Sequence, residues 1–525
     1  MSQRVRLGFF ALLFLVLWNA AASHAQVRGG SAVVGLYANI SSLDPHFQVS
    51  HIGGSIFFCI YEGLVTIDDK GKAIPMLAKS WQVSQDGKIY DFEIRRQIRF
   101  HNGKLMTARD VAASIQRYLR ISPDRSLLEI ISHVEVKSEF EVSIVLKRAS
   151  STFLDRLASP VNPVSIIPAE QAGKPLNRTE YIGTGPFRFV DWVPDSYVRL
   201  ARFGRYTADT DYPSPTGLGG QKTPYLDEIT FRFMAEPSSR VAALEAGEIQ
   251  LAEQIPALSA ARLAKNPKLR IERLDNFNMP ALFINHAAAP TNTVKLRRAI
   301  QIALDLHELM AGATDGAFTL DPSWLWWGDP AYSTMGGSLY NVHDTRLAKK
   351  LLAETGYGGE RIDLLIPNIS LHSKIGTILL EQLRGIGLNV RPVSVDYATL
   401  VSAIASDKGW HLALNGFRAA PFLGAYAYEP IFSGVGNWAH ANPDEDRPML
   451  RLWSQFEAAQ DQKARNAIWA DIQALTYQNV TMAKLGNESL LVGSSVMLHG
   501  YKPFAGGERM WNVWLSPVVA AGKAP

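Results

Sequence analysis

The sequence predicts an α/β fold, a sheet covered by helices on both faces. Three observations carry this. Strand-type alternation and helix-type periodicity succeed one another along nearly the whole chain. At 525 residues, the chain is long enough to form more than one core. Its only cysteine, Cys59, cannot close an internal disulfide, so burial alone must hold the fold. Internal repeats, low-complexity segments and Ser/Gly-rich linkers are all absent. Any separate units are therefore expected to be joined by short strands crossing between them.

The elements follow in order. Trp81 and Val83 alternate up to Asp86-Gly87, a strong hairpin turn pair, and Tyr90, Phe92 and Ile94 alternate after it. Thr107 with Asp110 three residues on forms a capping box, and Val111, Ile115 and Tyr118 or Leu119 give the helix an apolar face. Val134 and Val136 answer Val142, Ile144 and Leu146 in a second hairpin. Gly183-Thr184-Gly185-Pro186-Phe187 reads as a turn into a further pair, in which Phe187 and Phe189 face Val198 and Leu200. It is a poor nucleotide loop, because it lacks a third glycine and Pro186 removes an N–H. A strand at 225–233 leads to a helix through Arg240 and Leu244, ended at Gly247. A strand at 281–284 precedes an amphipathic helix at 296–304. Asp344 caps a helix that closes near Gly356. Strands at 364–366 and from Val390 flank a helix at 374–383, and a strand at 411–414 follows.

Composition and motifs exclude several function classes. Charge is nearly balanced, 53 basic against 49 acidic residues, with no basic stripe for nucleic acid. Arg4 and Arg6, an apolar run at 7–18 and Ser23-His24-Ala25 read as a cleaved secretory signal over residues 1–25, too short for a membrane span. No cysteine at the cleavage site offers a lipid anchor, so the mature chain is expected to begin near Gln26. Cys59 lies among Phe57, Phe58 and Ile60, which suits an inert buried thiol. No Gly-x-Ser-x-Gly elbow occurs. His307-Glu308-Leu309-Met310-Ala311 has Ala311 where a second zinc ligand must stand, so neither metal nor cofactor is expected. His101 sits at a turn and is expected to bond backbone groups there.

Binding is the better supported chemistry. A ligand site in a two-lobed α/β protein lies between lobes at strand ends, with aromatic walls and a few orienting charges. Three segments have that makeup: residues 47–56, Trp324-Leu325-Trp326-Trp327-Gly328, and Asn415-Gly416-Phe417-Arg418-Ala419-Ala420, read as a loop after its strand. The tryptophan cluster equally suits a packed core.

One block is more specific. Tyr61-Glu62-Gly63-Leu64-Val65, Pro75-Met76-Leu77-Ala78-Lys79-Ser80-Trp81, Tyr90-Asp91-Phe92-Glu93-Ile94-Arg95, Phe100-His101-Asn102-Gly103 and Thr107-Ala108-Arg109-Asp110-Val111 occur in an order that resembles the family 5 solute-binding proteins of ABC importers, the peptide, opine and nickel binders. Ala246-Gly247-Glu248-Ile249, Val294-Lys295-Leu296-Arg297-Arg298-Ala299-Ile300 and Glu354-Thr355-Gly356-Tyr357 extend the likeness over residues 35–490. The resemblance implies a two-lobed periplasmic binding protein (Venus flytrap) fold with an extra subdomain on the first lobe, closing around ligand by hinge motion. The expected division is residues 26–49, 185–273 and 490–525 for the core of lobe 1, 50–184 for the extra subdomain, and 274–489 for lobe 2. The expected partners are a small-molecule or peptide ligand and ABC permease subunits, with no nucleic acid and a monomeric chain in the periplasm.

One departure bears on the ligand. In oligopeptide and dipeptide binders, the segment like Gly416-Phe417-Arg418-Ala419-Ala420 carries an aspartate for the peptide's α-amino group. Here both alanines are apolar, no acid follows before Glu429, and Arg418 adds a cation suited to a carboxylate or phosphate. The expected ligand is therefore anionic, opine-like or a modified peptide. The candidate binding residues are His51, Tyr118, Arg125, Asn278, Trp326, Trp327, Gly416, Phe417, Arg418, Asn437 and Trp438. The alternatives are a periplasmic hydrolase of small conjugates and an oligopeptide receptor.

Overall fold

The computed structural model describes residues 26–47, 51–161, 163–406, 408–418, 423–432 and 443–516, without the side chains of residues 51 and 443–446. The expected signal segment at 1–25 lies outside them. A twelve-stranded mixed sheet runs through the molecule. Its first half holds Ser31–Leu36, Glu228–Phe233, Tyr197–Arg202 and Phe187–Val193. Its second half holds Leu412–Arg418, Ile362–Pro367 and Val390–Val395. Each half contains a parallel pair, Ser31–Leu36 on Glu228–Phe233 and Ile362–Pro367 on Val390–Val395, and helix Ser370–Gly385 links the second pair.

Alternation sorts side chains to two faces, and both faces of the second half are covered. Leu282, Ile284, Leu364, Leu412 and Leu414 pack into one core, whereas Met279, Ala281, Phe283, Leu365, Ala413 and Phe417 pack into another.

Two strands join the halves, and they are long rather than short. Leu269–Ile284 spans 16 residues. Its first part pairs with Asn487–Ser495 up to Leu274↔Leu490, and its last part pairs with Leu412–Arg418 from Asn278↔Arg418 to Ile284↔Leu412. Between them the ladder slips, resuming only at Asn278↔Glu488. Asn276 stands in the slip at φ 58, the left-handed region that asparagine tolerates better than most residues. The sheet therefore bends where its two halves meet, which gives the molecule two lobes.

A separate four-stranded sheet, Ala78–Val83, Ile89–Ile94, Glu141–Leu146 and Ile131–Ser138, carries helix Ala108–Ile121 on one side. Both predicted hairpins are present, with Trp81↔Phe92 and Val136↔Val142 in register. The capping box is also there: the Thr107 N–H donates to Asp110 at 2.9 Å. This unit packs into one core with the first half of the large sheet. Arg117 of its helix, fully buried, holds Asp44 through two bonds of 2.7 Å. Burial alone would raise the Asp44 carboxyl, but the Arg117 fork and main-chain donors hold it below its usual range.

The unit also reaches the second lobe. Arg156 donates to Glu457 at 2.9 Å and to Glu429, while Thr152 and Ser150 donate to Glu457 at 2.9 and 3.0 Å. Cys59 is buried and inert, its thiol pushed up to about 12 by burial. His101 does bond backbone: Gly183 N–H donates to its Nδ1 at 3.2 Å, and its Nε2 lies 3.0 Å from the Gly185 carbonyl. Among the described residues, no helix is long and apolar enough to cross a membrane.

Candidate functional site

A cavity of about 620 Å³ opens between the lobes, and its size suits a small solute. Residues 254–257, Leu490 and Leu491, with Ala505 and Gly506, face it from the first lobe. Residues 415, 416 and 418, 370–372 and 313–315, with Tyr397, face it from the second. Residues 256–257, 370–372 and 397 lie at the starts of helices and residues 415–418 at the end of a strand, where loops leave the sheet and backbone groups become available.

Its floor is a row of three side chains on adjacent strands. Arg418, Asn278 and Glu488 are direct cross-strand neighbours, so they share one face. Asn278 Nδ2 donates to Glu488 Oε2 at 2.8 Å. Burial lifts the Glu488 carboxyl above its usual range, against the pull of Asn278 and Arg418. The Arg418 guanidinium donates to the Tyr37 hydroxyl and lies 5.2 Å over the Tyr37 ring and 5.4 Å over Phe277. Tyr37 follows the first strand of the other lobe, so Arg418 reaches across the gap. Its accessible surface opens onto the cavity, while the surrounding protein lowers its pKa by desolvation, opposed by Glu488. It remains a cation at any working pH.

The sequence-derived residues divide. Asn278, Gly416 and Arg418 line the cavity. The last two stand on a strand, Leu412–Arg418, where a loop was expected. Gly416 is closely packed there: a Cβ would sit 3.0 Å from the Met279 carbonyl. Phe417 alternates to the opposite face and stacks on Phe283, with ring centres 5.4 Å apart. Tyr118 is buried under the small sheet, its hydroxyl donating to the Asp124 carbonyl, and Arg125 bonds the Ser122 carbonyl. Both stand apart from the cavity lining. Trp324 is core, Trp326 packs half-buried against the first lobe's core, and Trp327 is 71% exposed; none lines the cavity. His51 begins helix His51–Ile60, but its side chain lies outside the described residues, as do Asn437 and Trp438.

Most of the cavity lining was missed, and two of its residues bear on the chemistry. Glu488 supplies the acid that the segment after Arg418 lacks, from a different strand. Its only signal was a carboxylate just before the apolar run Leu490-Leu491-Val492. His372 begins the helix after strand Ile362–Pro367. It is 6% exposed, and its ring lies against the Asn415 main chain. Burial lowers its pKa to about 4, so the ring is neutral. Among the described residues, no cluster of His, Cys, Asp or Glu could hold a metal ion.

A profile of the bacterial extracellular solute-binding proteins, family 5, matches residues 72–439. The chain belongs to this family. A glutathione-binding protein of Pectobacterium atrosepticum is 27% identical over 472 residues, 84% of this chain and 87% of the relative. A probable peptide ABC transporter periplasmic-binding protein of Sinorhizobium fredii is 27% identical over 494 residues, 90% and 92% of the two chains. Among solved structures, an ABC transporter substrate-binding protein of Listeria monocytogenes superposes with a TM-score of 0.78 at 22% identity, covering 93% of this chain and 99% of that one. NikA of Brucella suis, solved with Fe(III)-EDTA, gives 0.80 at 22% identity over 93% and 100%. These likenesses agree with the two-lobed fold. As a member of family 5, the chain is a substrate-binding component of an ABC transporter and not an enzyme, so the hydrolase alternative falls. It acts outside the cytoplasmic membrane, on a peptide or small-molecule ligand, with an ABC permease.

Proposed function

We propose that this protein captures a small zwitterionic, carboxylate-bearing peptide or conjugate, glutathione-like in chemistry, and hands it to its permease. The observation that carries the reading is the Arg418–Asn278–Glu488 row, a cation and an anion side by side on the cleft floor. The guanidinium suits a carboxylate in bidentate fashion, and Glu488 suits an ammonium. This narrows the anionic, opine-like or modified-peptide ligand expected from the segment at 415–420 by adding a partner for an ammonium group. The glutathione-binding relative of similar length supports it. The reading includes a cleaved leader at 1–25, a periplasmic monomer, and the division into 26–49, 185–273 and 490–525, an extra subdomain at 50–184 and a second lobe at 274–489. The slip between Leu274 and Asn278 supports the crossing point.

Calorimetric titration with reduced glutathione, alanyl dipeptides and an opine tests the reading. A member of this panel should bind, leave the cleft chemically intact, and raise Tm. Arg418→Ala and Glu488→Gln should each weaken binding at least tenfold, as expected for charge-assisted bonds of about 1.5–3 kcal/mol. Affinity unchanged in both variants would remove the row from the site.

A further inference from the structure

Resting on that reading, we infer that Gln254 is the first lobe's hydrogen-bonding contact with the solute and takes an amide group of it. Closure around a guest needs a grip from both lobes. The Arg418–Asn278–Glu488 row stands on the second lobe and on the strands that cross to it. Among the described residues, Gln254 is the one polar side chain that the first lobe contributes to the cavity lining. The other lining residues of that lobe, 255–257, 490–491 and 505–506, have apolar side chains or none.

The backbone at Gln254 is held from several sides. Gln254 adopts φ 47, in the left-handed region. Most other non-glycine residues of this chain in that region are asparagine or aspartate, whose short side chains bond locally; glutamine has no such compensation. Arg240, buried in helix Pro237–Ala246, fixes the turn. Its Nε donates to the Glu253 carbonyl at 3.0 Å and its Nη2 to the Gln254 carbonyl at 3.1 Å. Its Nη1 donates to the Ala235 carbonyl at 2.9 Å, so one guanidinium ties together two strand ends. On either side, the Glu253 N–H donates to the Gly35 carbonyl at 3.1 Å and the Ile255 N–H to the Leu491 carbonyl at 2.9 Å. Gln254 keeps its own N–H and its side-chain amide, and neither has a hydrogen-bond partner among the described residues. A left-handed glutamine on a ligand wall, with donors and acceptor free, is strain retained for contact. Its side chain offers one acceptor oxygen and an NH₂, and the main-chain N–H adds a further donor. That set matches a peptide group, whose carbonyl accepts and whose N–H donates. The solute class narrows to one with an amide between its charged ends, which an amine-linked opine lacks.

The test is Gln254→Gly, which removes the side-chain amide and suits a left-handed φ, so Tm should hold or rise. Wild-type and Q254G proteins are titrated with reduced glutathione and with alanyl-alanine, and crystals of both are soaked in N-methylacetamide. We expect an N-methylacetamide molecule hydrogen-bonded to the Gln254 amide in the wild type, absent in Q254G. We also expect Q254G to bind the peptide probes about three- to tenfold more weakly, the loss of one neutral hydrogen bond. No N-methylacetamide at Gln254 in the wild type overturns the contact, even when glutathione binds and the ligand-class reading stands. A bound amide with equal peptide affinity in both proteins overturns its role in gripping the solute. A lower Tm in Q254G overturns the strain. If neither peptide binds the wild type, the ligand-class reading falls with those probes, and the soak still decides the contact.

Discussion

Arg418, Asn278 and Glu488 owe their alignment to register rather than to sequence proximity. Each sits on a different strand, and direct cross-strand pairing turns their side chains the same way. Phe417 shows the same rule from the other side: one position along the strand, it serves the core. A buried residue can also report on protonation. His286 is 3% exposed and its ring lies 3.2 Å from the Thr481 carbonyl. Burial, aided by the Arg297 charge, lowers its pKa from 6.5 to about 3. The unfolded chain therefore binds this proton where the folded chain does not. Its contribution to stability is complete above about pH 6.5 and is lost as pH falls toward 3. The loss of unfolding free energy between pH 7.5 and pH 5 should be about 2 kcal/mol smaller in His286→Gln than in the wild type. Urea unfolding at the two pH values checks this, and parallel pH dependences would contradict it.

At the scale of elements, the slip in Leu269–Ile284 sets the angle between the sheet halves. Asn276 adopts φ 58 there, where a β-branched side chain meets the carbonyl that follows it. Asn276→Val should lower the unfolding free energy by about 1–2 kcal/mol, whereas Asn276→Gly should stay within about 0.5 kcal/mol. Chemical denaturation compares them, and equal stabilities would show that the slip does not require the left-handed residue. The slip was legible only as a change of register near residues 276–285, because a strand bent between two partners has no sequence period of its own. The hairpin at Asp86-Gly87 and the box at Thr107 and Asp110 were legible because their signals are local: a turn φ, a cap, three residues of spacing.

For the whole molecule, the contact at Arg156 ties the small-sheet unit to the second lobe, outside the ligand cleft. Glu457 is nearly buried, with Arg156 as its cation and Ser150 and Thr152 as its other donors. Removing the cation leaves a carboxylate desolvated and half satisfied. Arg156→Gln should cost about 3 kcal/mol of stability, read by urea unfolding. It should also shift ligand-free solution scattering toward a larger radius of gyration, because a tie between the lobes is gone. An unchanged profile would mean that this contact does not hold them. Closure itself follows from shape: a guest that touches both walls only when they approach favours the closed form.

The sequence by itself determined the class of fold, the family and the role, since alternation, caps, turns and an ordered set of family segments are written in neighbouring residues. It also marked Arg418, Asn278 and Gly416, which line the cleft, but it left the tryptophan cluster open between wall and core, and the structure divides it: Trp324 is core and Trp327 is exposed. Only the tertiary structure decided the company those residues keep. Glu488 lies 70 positions from Arg418 in number and two strands away in space, and His372 becomes a cleft residue because its helix starts where the lobes face each other. A site between two lobes is assembled by strand order and by one bend, and neither is a property of any short stretch of chain.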